Sequence, residues 1–108
     1  SKFLNNKNLL IRLLNEKEIS KCNTTKYKSN CFAKRFAAKE AFSKALGTGL
    51  IGDVKLNLIE IDRDQSGKPY IKMNDHMKTL LSKIGVNSTF VSLADDSDFA
   101  VATVILER

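Results

Sequence analysis

The sequence predicts an α+β fold: a small single domain, with helices packed against a mainly antiparallel sheet. Three observations lead there. Apolar residues fall at helical spacing through residues 1–46 and alternate with polar ones beyond residue 53. Clusters of turn-forming residues cut the second half into short apolar runs. A chain of 108 residues, 43% hydrophobic and 28% charged, has room for one modest core and no second one.

Within Ser1–Leu14, Phe3, Leu4, Leu10, Ile11 and Leu14 fit a helix better than alternation. Asn15 followed by Glu16 and Glu18 forms a cap with acidic residues in a first turn, so a short second helix runs to about Cys22. Residues 23–28 make a polar, basic loop. Ser29 or Asn30 then caps a helix from about Cys31 to Leu46, dense in Ala, Lys, Phe and Glu, and Gly47 ends it. Val54–Asp62 alternates as a strand, and residues 62–69 form a turn cluster before a second strand, Tyr70–Met73. In that cluster Asp62 and Asp64 are turn formers rather than a metal pair. Asn74 or Asp75 caps a helix through Met77, Leu80, Leu81 and Ile84, closed by Gly85, with His76 exposed in its first turn. Thr89–Leu93 and Phe99–Leu106 flank a polar segment and form a final hairpin, with Asp95 and Asp96 as loop surface.

The charge is unevenly spread. Residues 1–46 hold eleven Lys/Arg against three Glu, and residues 47–108 hold seven against nine Asp/Glu, so +8 and −2 sum to the net +6. Such a basic half implies an acidic partner or a solvated basic surface. Nucleic acid ranks last among the partners, because an aromatic stacking pattern and an Arg-rich stripe are both missing. No apolar run is long enough for a spanning helix, and the opening residues do not resemble a secretory signal. Two cysteines are too few for a disulfide scaffold, and the expectation is two reduced thiols in a cytoplasmic protein.

The long helix is where chemistry concentrates. Plotted at 100° per residue, Phe32, Phe36, Glu40 and Ser43 share about one quadrant, which places Glu40 on an apolar stripe. A carboxylate there needs a cation or a paired lysine, and Lys44 stands one turn on. Beyond the helix, Gly47, Gly49 and Gly52 allow close backbone approach to an anion, although a helix cap alone would explain Gly47. Carboxylate, lysines, serine and glycine loop together point to a metal–phosphate site.

Phe36–Lys44 (FAAKEAFSK) resembles the signature of 4′-phosphopantetheinyl transferases. Arg35–Gly52 (RFAAKEAFSKALGTGLIG), with Gly67-Lys68-Pro69-Tyr70 and Phe90-Val91-Ser92-Leu93, is similar to the holo-acyl-carrier-protein synthase branch. The likeness runs through almost the whole chain. It implies Mg²⁺-dependent transfer of the phosphopantetheine arm of coenzyme A to a serine of an acyl carrier protein, releasing 3′,5′-ADP and serving fatty acid biosynthesis. It further implies a homotrimer with sites at subunit interfaces. By that resemblance Glu40 is the Mg²⁺ ligand. Lys44 meets the phosphates or helps deprotonate the serine, and Lys39 and Ser43 assist. Gly47, Thr48, Gly49, Lys68 and Pro69 line the nucleotide pocket, with Arg35 and Ser92 nearby. The acidity of carrier proteins matches the basic half.

Two departures stand beside the likeness. The family's opening strand, with a Gly-Ile-Gly-x-Asp-type motif whose Asp is a further Mg²⁺ ligand, has no counterpart here, and nothing before Glu16 replaces that carboxylate. Relatives often have histidines where this chain has Phe90 and Asp95. The alternative reading is therefore a catalytically impaired module that binds coenzyme A or a carrier protein.

Overall fold

The structure is a computed structural model that describes residues 7–47, 56–96 and 99–108. The expectations for Phe3, Leu4, Thr48, Gly49 and Val54 lie outside the described residues. In chain order the elements are helices α1 (Lys7–Leu13), α2 (Glu16–Thr24) and α3 (Lys28–Leu46), a 3₁₀ turn (Leu56–Leu58), strands β1 (Ile59–Arg63) and β2 (Pro69–Met73), helix α4 (Asp75–Lys83), and strands β3 (Ser88–Asp96) and β4 (Phe99–Glu107). The predicted order of helices, hairpin, helix and hairpin is the observed one.

Two caps form as their residue types dictate. The Asn15 side chain accepts from Glu18 N at 2.8 Å while Glu18 Oε1 accepts from Asn15 N at 3.1 Å, a reciprocal capping box that starts α2. Asn74 Oδ1 accepts from Met77 N at 2.8 Å and starts α4. The predicted cap of α3 is corrected. That helix begins at Lys28, ahead of Ser29 and Asn30, and Tyr27 stands at its N-cap without a side-chain hydrogen bond. The start is fixed instead by a tertiary tie. Cys22 and Cys31 form a disulfide, their Cα atoms 5.4 Å apart, where reduced thiols were expected. Composition alone could not reveal this, because the two meet only when the end of α2 folds against the first turn of α3. A loop of this length adds roughly 2–3 kcal/mol on a chain-entropy estimate.

The strands form two antiparallel hairpins. β1 pairs with β2 with Ile61 opposite Ile71, and β3 pairs with β4 with Phe90 opposite Ile105 and Ala94 opposite Val101. Val54–Asp62 was expected to be a strand, but Leu56–Leu58 is a 3₁₀ turn and the ladder starts at Ile59. The Lys39 ammonium takes the carbonyls of Leu56 and Ile59 and turns the chain there. Ala38 and Phe42 of α3 join Ile59, Ile61, Ile71, Met77, Leu81 and Val91 in the main core. A second cluster, Leu10, Leu14, Cys22, Cys31 and Phe32, packs α1 and α2 against the start of α3. Burial of these side chains is the main favourable term in the fold.

Asp64 organises the β1–β2 turn as its residue type predicts. Its Oδ1 accepts from Ser66 Oγ at 2.7 Å and from the N–H groups of Ser66 and Lys68 at 2.9 Å each, while Gly67 takes φ 88°, a conformation that suits glycine. These bonds, the Ser66 hydroxyl foremost, hold the Asp64 carboxyl below its ordinary value of 3.8. A lowered folded value stabilises the turn above the unfolded value, and the contribution is lost as pH falls through the folded one. A carboxyl-shift NMR titration should therefore give Asp64 a midpoint below 3.8, with turn signals shifting alongside it; a midpoint at or above 3.8 contradicts the turn geometry.

Candidate active site

Helix α3 carries most of the predicted site, and its orientation separates those residues. The face turned to the core bears Cys31, Phe32, Arg35, Ala38, Lys39 and Phe42. Glu40 was placed on the apolar stripe, and this is corrected: it lies on the far side of the helix, exposed. Phe36, which helped define that stripe, is only half-buried. The true core face centres on Arg35, Lys39 and Phe42, which places Glu40 about 130° away round the helix.

On that outer side Glu40 Oε1 meets Lys44 Nζ at 3.2 Å, with the side chains 58% and 78% exposed. An i,i+4 pair this open is worth a few tenths of a kcal/mol, so both groups stay available to a ligand. Ser43 sits half-buried beside them. Gly47 closes the helix with φ 81° and donates to Lys44 O at 3.2 Å, and nothing lies within 4 Å of where its Cβ would stand. The predicted glycine-loop residues Thr48 and Gly49 follow, outside the described residues.

The assisting role expected of Lys39 is corrected too. Its side chain is fully buried and its Nζ lies 2.8 Å from Glu18 Oε1, itself 1% exposed. The ammonium also donates to the carbonyls of Leu56 and Ile59, and Glu18 Oε2 accepts from Ile61 N at 2.9 Å. Burial pushes the Lys39 amine below the usual lysine range, and the Glu18 carboxylate opposes that shift. Its donors are spent on the fold and leave nothing for a phosphate. Glu18 was legible as a cap but not as the partner of Lys39, because their meeting needs α2 and α3 to be packed.

Arg35 faces a different place. It lines an open cavity of about 380 Å³ between the end of α2, the start of α3 and the rims of both hairpins. Lys21, Lys34, Arg35 and Arg63 bring four cations to the cavity against the single carboxylate of Asp95. The Arg35 guanidinium donates to Cys31 O at 3.4 Å and to Cys31 Sγ at 3.1 Å, and its buried Nε–H has no partner among the described residues. Burial lowers its basicity, with the Glu18 charge opposing. A cavity so charged attracts an anion. Lys21, Lys34 and Arg63 were not singled out in the sequence; they converge only through tertiary contacts. Asp95 and Asp96, expected to be loop surface, are instead the last two residues of β3; Asp95 is exposed, accepts from Asn30 Nδ2 at 2.8 Å and lies 3.9 Å from Lys34 Nζ.

The remaining predicted residues are scattered. Lys68 is exposed and Pro69 half-buried at the β1–β2 turn, and Ser92 is exposed on β3 opposite Thr103. His76 is exposed in the first turn of α4, as expected. No group of three or more His, Cys, Asp or Glu side chains able to hold a metal occurs among the described residues. Glu40 is nonetheless a hard, open oxygen donor, which suits a Mg²⁺ ion that keeps several waters beside one or two carboxylates.

The family model of the 4′-phosphopantetheinyl transferase superfamily matches residues 2–104. The chain belongs to this superfamily. Among phosphopantetheinyl transferases it is 42% identical over 104 residues to the holo-[acyl-carrier-protein] synthase of Geotalea daltonii, covering 96% of this chain and 83% of that one. The crystal structure of the Neisseria meningitidis holo-[acyl-carrier-protein] synthase superimposes with a TM-score of 0.86 at 33% identity, covering 99% of this chain and 86% of that one. The Helicobacter pylori synthase, solved in complex with coenzyme A, gives 0.76 at 30% identity, covering 93% and 82%. The chain is thus an enzyme of the phosphopantetheinyl transferase class with the fold of its synthase branch. No helix among the described residues is long and apolar enough to cross a membrane.

Proposed function

We propose that this transferase moves the 4′-phosphopantetheine arm of coenzyme A onto a serine of an apo acyl carrier protein, with Mg²⁺ as cofactor and 3′,5′-ADP as the released product. The observation that carries the reading is the exposed Glu40–Lys44 pair, one turn apart on α3 within the FAAKEAFSK string. In the reaction the serine oxygen bonds to the β-phosphorus of coenzyme A, and the bond from that phosphorus to the oxygen bridging to the 3′,5′-ADP portion breaks. Glu40 would hold the Mg²⁺, which would supply charge neutralisation at the pyrophosphate. Lys44 turns from Glu40 to the phosphate oxygens, and Ser43 offers a hydroxyl beside it. Gly47 and the Lys68-Pro69 turn border the nucleotide, together with Thr48, Gly49 and Ser92.

Arg35 and Glu40 face away from each other across α3, so one protomer does not close the site. A homotrimer, in which the basic cavity of one copy receives the phosphates held at Glu40 and Lys44 of the next, reconciles the two positions. An apolar strip on the β3–β4 hairpin supports such assembly: Phe90, Phe99, Val101 and Ile105 are all about half exposed or more. The acidic carrier protein would meet the basic surface of residues 1–46, and the reaction would serve fatty acid biosynthesis in the cytoplasm.

The test is the intact mass of an apo acyl carrier protein incubated with this protein, coenzyme A and Mg²⁺. The expected result is a gain of one phosphopantetheine that disappears when Mg²⁺ is chelated. No gain, from protein that still binds coenzyme A, would replace the transfer reading with that of a binding module.

A further inference from the structure

The Cys22–Cys31 disulfide takes no part in the proposed transfer, yet one of its two residues, Cys31, lines the basic cavity. Cys22 is fully buried, whereas Cys31 borders the cavity and its Sγ lies 3.1 Å from the Arg35 guanidinium. Thr25, Tyr27 and Asn30, which also line the cavity, all belong to the segment that the bond closes. In a protein read as cytoplasmic such a bond is unusual, and cytosolic disulfides are most often transient, catalytic or redox-sensing.

We propose that Cys22–Cys31 is a thiol–disulfide exchange site, and that its oxidised form is the one that holds a phosphate-bearing ligand in the basic cavity. The proposal rests on reading that cavity as the nucleotide-phosphate site. The co-reactant is a dithiol. Its thiolate attacks Cys31 Sγ, the sulfur that borders the cavity; the S–S bond breaks and Cys22 leaves as a thiolate that takes up a proton. The second thiol of the reductant then attacks the mixed disulfide at the reductant's own sulfur and releases Cys31. Two electrons and two protons pass to the protein, and the dithiol leaves as a disulfide.

The cavity favours this exchange when empty and opposes it when filled. Lys21, Lys34, Arg35 and Arg63 draw in an anionic thiolate and stabilise the Cys31 thiolate as it departs. A bound phosphate cancels that field and covers Cys31. In return, breaking the bond frees Thr25–Tyr27 between α2 and α3 and removes the sulfur contact of Arg35. A ligand must then order what the disulfide had held in place. The two effects are one linkage, so a ligand that prefers the oxidised protein protects the bond by the factor that reduction costs in affinity.

The experiment uses the full chain with 3′,5′-ADP as probe. Untreated protein should show no free thiols, and two after dithiothreitol. Reduction should raise the calorimetric Kd for 3′,5′-ADP about ten-fold or more, reoxidation should restore it, and the far-ultraviolet circular dichroism should not change. Saturating 3′,5′-ADP should shift the reduction equilibrium, measured in a dithiothreitol redox buffer, toward the disulfide by a similar factor. The Cys22→Ala/Cys31→Ala protein should bind like the reduced form and ignore dithiothreitol. Two free thiols in untreated protein, equal affinity in both states, or unfolding on reduction would each overturn the proposal. Equal affinity in a protein that still modifies apo acyl carrier protein would sink the switch alone; no binding in either state would take the cavity reading with it.

Discussion

Glu40→Gln is expected to cut phosphopantetheine transfer about 10²-fold or more while leaving the protein as stable as its parent. The substitution removes the charge that would hold the cation and keeps the shape of the side chain. A lost metal contribution of several kcal/mol corresponds to that rate effect, since each 1.36 kcal/mol is ten-fold. Stability should hardly move, because the pair given up with Lys44 is open to solvent and worth at most about 1 kcal/mol. Single-turnover mass spectrometry across a Mg²⁺ series, beside a thermal melt, reads both quantities. Parental turnover in the variant would remove Glu40 from the site.

Lys39→Met should do the reverse. It leaves the Glu18 carboxylate buried without its cation and frees the carbonyls of Leu56 and Ile59. Breaking one side of a buried pair costs about 3–5 kcal/mol, a large share of what a domain this size has to spend. Adding Glu18→Gln should recover much of the loss, because an amide can still accept from Ile61 N without carrying a buried charge. Urea midpoints of the parent, single and double variants test this. A loss below about 1 kcal/mol in Lys39→Met would mean that the two side chains do not meet in solution.

The fold was largely legible because it is written in local signals. Asn15 with Glu18, Asn74 with Met77, and Asp64 with Ser66 are satisfied within a few residues of chain, so their residue types announce them. The strand assigned to Val54–Asp62 gives way to a turn at Leu56–Leu58 because that turn answers to Lys39, seventeen residues away in sequence at Leu56. The motif on α3 located Glu40 and Lys44 correctly as neighbours one turn apart. Which way they face was misread, since an average apolar stripe does not reveal that Arg35 and Lys39 are drawn inward by a carboxylate on another helix. The cavity and the disulfide were beyond reach for the same reason. Lys21, Lys34, Arg63 and the two cysteines acquire meaning only once α2, α3 and the hairpins are packed.

The string Ala38-Lys39-Glu40-Ala41-Phe42-Ser43-Lys44 behaves as two interleaved texts printed on one helix. Ala38, Lys39 and Phe42 are read from the inside and keep the architecture; Glu40 and Lys44 are read from the outside, where the proposed chemistry would take place. Because successive residues of a helix step round by 100°, the neighbours Lys39 and Glu40 answer to different masters. A protein engineer could therefore rewrite the outer text to alter what is handled there, leaving the inner one intact, although Lys39 of the inner text and Glu40 of the outer stand side by side.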